Sequence, residues 1–125
     1  MNLNQVTVPA IDIPASVAFY QRLGLELIVS SPHYARFKCP EGDATFSVHQ
    51  VQALPTGPGA VIYFEIAELD RRVKELKESG FCFAYGPRDE SWLWREARLN
   101  DPAGNVICLY WAGVNRINPP WRIRT

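Results

Sequence analysis

A histidine, a glutamate and a glutamine stand at strand-like positions, and these are the groups with the reach of acid–base or metal chemistry. His49 lies in the run 44–51, whose alternation places Thr45, Ser47 and His49 on one face and Phe46 and Val48 on the other. Its imidazole type titrates near neutral pH and suits a general base. Glu65 lies in a second such run, 61–66, sharing a face with Val61 and Tyr63, and Gln5 shares a face with Leu3 and Thr7 on an early strand. His49 and Glu65 are the candidate catalytic pair. Gln5, His49 and Glu65 are a candidate divalent-metal set if the fold gathers them. The plainer reading is that all three line a cavity as hydrogen-bonding groups. His33 follows Pro32 in a turn and is expected to face solvent.

A second group of residues has the character of a small-molecule cleft: aromatic area with a few polar groups. Tyr63 and Tyr110 sit on predicted strands, and Trp92 and Trp94 sit in or beside the loop that opens the last hairpin. Arg98 and Glu96 share a face there if Ala97 and Leu99 face a helix. Trp92 and Trp94 read equally well as a ligand-gripping rim or as a seal over a barrel end or subunit interface. The three cysteines, Cys39, Cys82 and Cys108, match neither a paired disulfide framework nor a CxxC metal motif, and suit a reducing, cytoplasmic setting. Cys108 is expected on the cavity wall, where a small buried hydrophobe is its ordinary role.

The elements that must position these groups repeat. Residues 3–8 form a strand, and Asp12 caps a helix that runs from about Pro14 to Gly24. Strands follow at 25–30, 34–38 and 44–51. After a Pro- and Gly-rich linker at 53–59 come a strand at 61–66 and an amphipathic helix at 68–79, stopped by Gly80. A short strand at 81–85, a loop at 86–91 and a closing hairpin complete the order. That hairpin turns through Asp101-Pro102-Ala103-Gly104-Asn105. The chain is thus one domain, 1–125, made of βαβββ modules at about 3–51 and 60–112 with a tail at 113–125. Trp121 is expected to anchor that tail. The fold class is α+β: paired βαβββ modules curve a mixed sheet around a cavity, with helices on the outer face. Ile107, Leu109 and Trp111 are expected under a helix, and Val106, Cys108 and Tyr110 on the wall. The 13 basic and 13 acidic side chains cancel, which supplies no basic stripe for nucleic acid. No apolar run reaches membrane-spanning length, and no secretory signal opens the chain.

The early strand 4–8, Asp12-Ile13 with Ser16 to Tyr20, Leu23-Gly24-Leu25 and the Asp-Pro-Ala-Gly-Asn turn resemble the vicinal oxygen chelate superfamily. That group contains glyoxalase I, extradiol dioxygenases and bleomycin-resistance proteins, and the resemblance spans residues 3–112. It implies a homodimer and, in the enzymes, a divalent metal held from four strand positions. Here those positions fall on Gln5, Ser47, Val61 and Cys108. Val61 has no donor atom, and a serine and a thiol are poor substitutes in a hard oxygen and nitrogen site. The expectation is therefore a metal-independent protein that binds or sequesters a small organic molecule, with no cofactor. Its ligand-binding candidates are Gln5, Ser47, Tyr63, Trp92, Trp94, Arg98, Cys108 and Tyr110. The alternative is a lyase, isomerase or dioxygenase with a non-standard metal or His49/Glu65 site. A third reading is an interaction subunit with a filled cavity. The balanced charge sets this chain apart from the strongly acidic proteins of the family that take up cationic bleomycin, so a smaller or less charged ligand is expected.

Overall fold

A computed structural model describes residues 1–124. The chain divides into two compact units: 1–59 with 101–105, and 60–100 with 106–124. Each is built as strand, helix, three strands, so the paired βαβββ modules of an α+β fold are present. The tail expectation for Thr125 lies outside the described residues.

In the first unit the strands are β1 (Gln5–Ala10), β2 (Glu26–Ser31), β3 (Tyr34–Lys38) and β4 (Thr45–Gln50), ordered β1-β4-β3-β2. β1 runs parallel to β4, and the other pairs are antiparallel. Helix α1 (Ile13–Leu23) begins where the Asp12 carboxylate accepts the Ala15 N–H at 3.1 Å, and it ends at Gly24. Its Tyr20 packs between Phe37 and Phe46, with ring centroids 5.7 and 4.7 Å away. Phe46 and Val48 therefore face the helix, while Thr45, Ser47 and His49 take the opposite face, as their alternation requires. Removing the cap with Asp12→Ala is expected to cost about 1 kcal/mol, read as a lower urea midpoint with an unchanged m-value.

The second unit repeats the plan with β5 (Val61–Glu65), β6 (Phe83–Asp89), β7 (Arg95–Asn100) and β8 (Val106–Trp111), ordered β5-β8-β7-β6. Helix α2 (Leu69–Glu78) buries Leu69, Val73 and Leu76. Ala97, Leu99, Ile107 and Leu109 form the matching buried set on the strands. The alternate residues Glu96, Arg98, Cys108 and Tyr110 take the helix-free face.

Three local expectations are corrected. The loop expected at 86–91 is mostly strand, because β6 continues through two register irregularities to Asp89. Trp111, expected under the helix, is 44% exposed at the sheet's end. Trp121 does not anchor the tail: it is 57% exposed, beyond a short 3-10 turn, η1 (Gly113–Arg116). Among the described residues no helix is long and apolar enough to cross a membrane.

Candidate functional site

Strand register decides which side chains meet on the helix-free face of the second unit. β8 lies between β5 and β7, so Tyr63, Cys108 and Arg98 form one row across the sheet, and Glu65, Tyr110 and Glu96 form the next. The small thiol in the middle of the first row lets the two long side chains lean over it. Arg98 Nη2 donates to the Tyr63 hydroxyl at 3.0 Å, and Cys108 beneath is fully buried. In the second row the central residue is large. Tyr110 stacks on Trp94 with centroids 4.8 Å apart and planes 24° apart. Tyr63 stands nearly perpendicular to both, at 5.4 Å from Tyr110 and 5.7 Å from Trp94. The three rings make a right-angled aromatic corner, the arrangement that ring quadrupoles favour. Tyr63 is 41% exposed and offers the corner to solvent.

Glu96 is the unexpected member. Its position facing this side follows from alternation, but its burial and its partners do not. It is 0% exposed, and one carboxylate oxygen accepts the Trp92 indole N–H at 2.8 Å. The other oxygen takes the Cys108 thiol at 3.5 Å and lies 3.5 Å from Arg98 Nη2. A buried carboxylate of this kind persists only when it is bonded and its charge is matched. Trp92 reaches Glu96 from the β6–β7 turn, where Leu93 holds a left-handed backbone (φ 66°) that a branched residue seldom adopts.

The ionisable groups fit this burial. Burial, and then the adjacent Glu96 charge, push the Cys108 thiol up to about 12. It is a protonated donor at neutral pH and has no thiolate for nucleophilic or metal chemistry. Burial also raises Tyr63 and Tyr110, the latter helped by Glu65. Glu65 itself is turned to the chain end of β8. Its Oε2 accepts the backbone N–H groups of Ala112 and Gly113 at 2.9 and 3.0 Å, and Arg116 lies 3.6 Å from Oε1.

The first unit's helix-free face is polar and closed on itself. Gln5 donates to Ser47 at 2.6 Å and to Thr7 at 3.1 Å, Thr7 and Ser47 share a 2.7 Å bond, and Thr45 donates to Gln5. Tyr34 is held below the ordinary phenol range, first by its hydrogen bond with Ser47 and then by Arg36. His49 is exposed at the end of this face, paired across the sheet with Pro9 and Tyr34. His33 is exposed as expected and bonds Gln50.

The structure thus gathers Tyr63, Trp92, Trp94, Arg98, Cys108 and Tyr110 in one unit and Gln5 and Ser47 in the other. Ser47 and Cys108, expected on the wall, lie fully buried beneath it and shape it from below. At the four positions that the resemblance assigns to a metal, Gln5, Ser47, Val61 and Cys108, stand an amide bonded to Ser47, that buried hydroxyl, an alkyl group and a protonated thiol. This donor set does not fit a divalent cation. Among the described residues no three His, Cys, Asp or Glu side chains gather as a metal site. Two hollows lie away from both faces. One, of about 540 Å³, is beside Ile11 and His33, and one, of about 420 Å³, is beside Leu69 and Trp111.

The sequence matches the Glyoxalase/Bleomycin resistance protein/Dioxygenase superfamily over residues 2–109, and the chain belongs to it. Solved structures of similar fold include a glyoxalase/bleomycin resistance protein/dioxygenase family enzyme from Burkholderia phytofirmans PsJN. It is 21% identical, with a TM-score of 0.75 over 90% of this chain and 99% of that one. The bleomycin resistance determinant encoded on the transposon Tn5 is 16% identical, with a TM-score of 0.77 over 90% and 99%. A bleomycin-binding protein solved with bleomycin is 19% identical, with a TM-score of 0.72 over 89% and 98%. At these identities the likeness establishes the fold. No curated protein matches the sequence.

Proposed function

We propose that this chain binds a small organic molecule without a metal, using the aromatic corner of Tyr63, Trp94 and Tyr110 as its principal surface. The observation that carries this reading is Tyr63, an aromatic ring left 41% exposed although two aromatic neighbours and Arg98 hold it in place. Rigid, part-exposed aromatic area beside a few oriented polar groups is what small-molecule sites supply. A structural relative that binds bleomycin makes binding a sensible use of this scaffold. The metal-position residues, with an alkyl group and a protonated thiol among them, favour binding over metal-assisted lyase, isomerase or dioxygenase chemistry. The homodimer and the cytoplasmic setting belong to the same proposal. The first is checked by sedimentation equilibrium. The second is supported by cysteines that are all free.

The test is an aromatic fragment screen by NMR on chelator-treated protein, following the Tyr63 and Tyr110 ring signals. Binding should survive the chelator, and Tyr63→Ala should weaken it about tenfold through the lost ring contact. Binding that appears only with Mn, Ni, Zn or Fe, and disappears with His49→Ala or Glu65→Ala, would overturn the proposal in favour of the enzyme.

A further inference from the structure

The charges on the second unit's face are matched in pairs. Glu96 has Arg98 at 3.5 Å, Glu65 has Arg116 at 3.6 Å, and Arg88, which stands opposite Glu96 on β6, is paired with Glu90 at 2.8 Å. None of these cations is left over for a ligand's charge. Arg98 is nonetheless under-bonded. A guanidinium carries five N–H donors. Here Nη2 makes one bond to a neutral phenol and one long contact to Glu96, the guanidinium also meets the Cys108 thiol, and Nε is buried with no hydrogen-bond partner. Glu96 cannot come closer to Arg98 without giving up the Trp92 indole, which holds its other oxygen. The face therefore has donor capacity to spare and no charge to spare.

From this, and resting on the reading of the corner as the binding surface, we propose that the ligand is a planar aromatic compound bearing an uncharged oxygen acceptor, a carbonyl above all. Its ring packs in the Tyr63–Trp94–Tyr110 corner, and its oxygen accepts from the exposed part of the Arg98 guanidinium. A carboxylate in the same place would lie beside the fully buried Glu96, to which the Arg98 cation is already committed, and the two like charges would repel. A neutral carbonyl needs only the N–H. Cys108 keeps Tyr63 and Arg98 close together, so ring and acceptor are read side by side.

Three probes of one shape separate the possibilities: naphthalene, naphthamide and naphthoate, titrated by tryptophan fluorescence with the Tyr63 ring signal as the site marker. Naphthamide should bind wild type about tenfold more tightly than either of the others, the scale of one hydrogen bond to a charged group. Glu96→Gln keeps the shape and an acceptor for Trp92 but frees the Arg98 charge, so naphthoate should then overtake naphthamide. Arg98→Met alone strands a buried carboxylate and can unfold the chain. The Arg98→Met/Glu96→Gln double variant removes both charges, and in it naphthamide should fall to the level of naphthalene. Naphthoate binding best to wild type, an unchanged order in Glu96→Gln, or an amide advantage that survives the double variant would each overturn the inference. In those cases the Tyr63 response would still support the binding corner. If no probe moves the Tyr63 signal, the corner reading falls with it.

Discussion

Asp101→Ala is expected to lower stability by about 3–4 kcal/mol, a fall in melting temperature on the order of 10 °C for a chain of this size. The side chain is 5% exposed and saturated. One oxygen accepts the Ala103 and Asn105 N–H groups, each at 2.9 Å. The other accepts the Tyr20 hydroxyl at 2.6 Å and the Asn105 amide at 2.8 Å. Asn105 in turn donates to the Pro9 carbonyl at 2.9 Å, so the turn is bonded to α1 and β1. Alanine would leave a buried phenol and two backbone donors unanswered. Asparagine keeps one acceptor oxygen and should recover roughly half of the loss. Differential scanning calorimetry on the three proteins checks the order.

The same cluster sets a pH dependence. Burial first, and then the Asp101 charge, hold Tyr20 well above the ordinary phenol value. An unfolded tyrosine ionises near about 10. Above that pH the unfolded chain releases a proton that the folded chain retains, so stability is complete below it and falls as pH rises further. Tyr20→Phe should flatten this alkaline limb, at the cost of one hydrogen bond at neutral pH. Urea midpoints between pH 8 and pH 11 would show it.

Much of this arrangement was legible in the sequence, because the signals that carry it are local. Asp12 and Gly24 mark the ends of α1, alternation assigns Phe46 and Val48 to the helix side, and Asp101 to Asn105 spell a turn. What a turn motif cannot say is where the turn docks. Asp101 and its neighbours interrupt the second module's hairpin yet group with the first unit, through Tyr20 and Pro9. The sequence gives no spacing rule for that. Glu96 was hidden for a similar reason. Alternation put it on the right face, but its complete burial depends on Trp92 folding back from a turn held by a left-handed leucine. β6 was cut short because Gly86 and Pro87 read as a loop, whereas a strand with irregular register accommodates both. The two modules also correspond more closely than their sequences suggest. In each, an arginine on the third strand, Arg36 or Arg98, stands opposite a small buried residue on the fourth, Ser47 or Cys108. The first strand then supplies Thr7 in one unit and Tyr63 in the other. With Val61 in place of Gln5 and Tyr110 in place of His49, that difference separates a closed polar network from an open aromatic corner.

Gly86→Ala should be severely damaging, costing about 4 kcal/mol or more and abolishing naphthamide binding together with stability. Two glycines with positive φ separate the causes. Gly86 and Gly104 both have φ in the left-handed region, at 109° and 89°. A Cβ on Gly104 would meet nothing within 4 Å, so Gly104→Ala carries conformational strain alone, about 1–2 kcal/mol. A Cβ on Gly86 would lie 2.4 Å from the Ala97 Cα and 2.5 Å from the Glu96 carbonyl oxygen. Those are backbone atoms of the neighbouring strand, and no rotamer change relieves them. Ala97 lies between Glu96 and Arg98, so the only relief is to push β7 away from β6 at the residues proposed to read the ligand's acceptor. Amide hydrogen exchange should show a large loss of protection concentrated along β6 and β7 in Gly86→Ala and only a small, uniform loss in Gly104→Ala. Equal losses in the two variants would mean that backbone strain, and not the close approach of the strands, is what glycine serves at position 86.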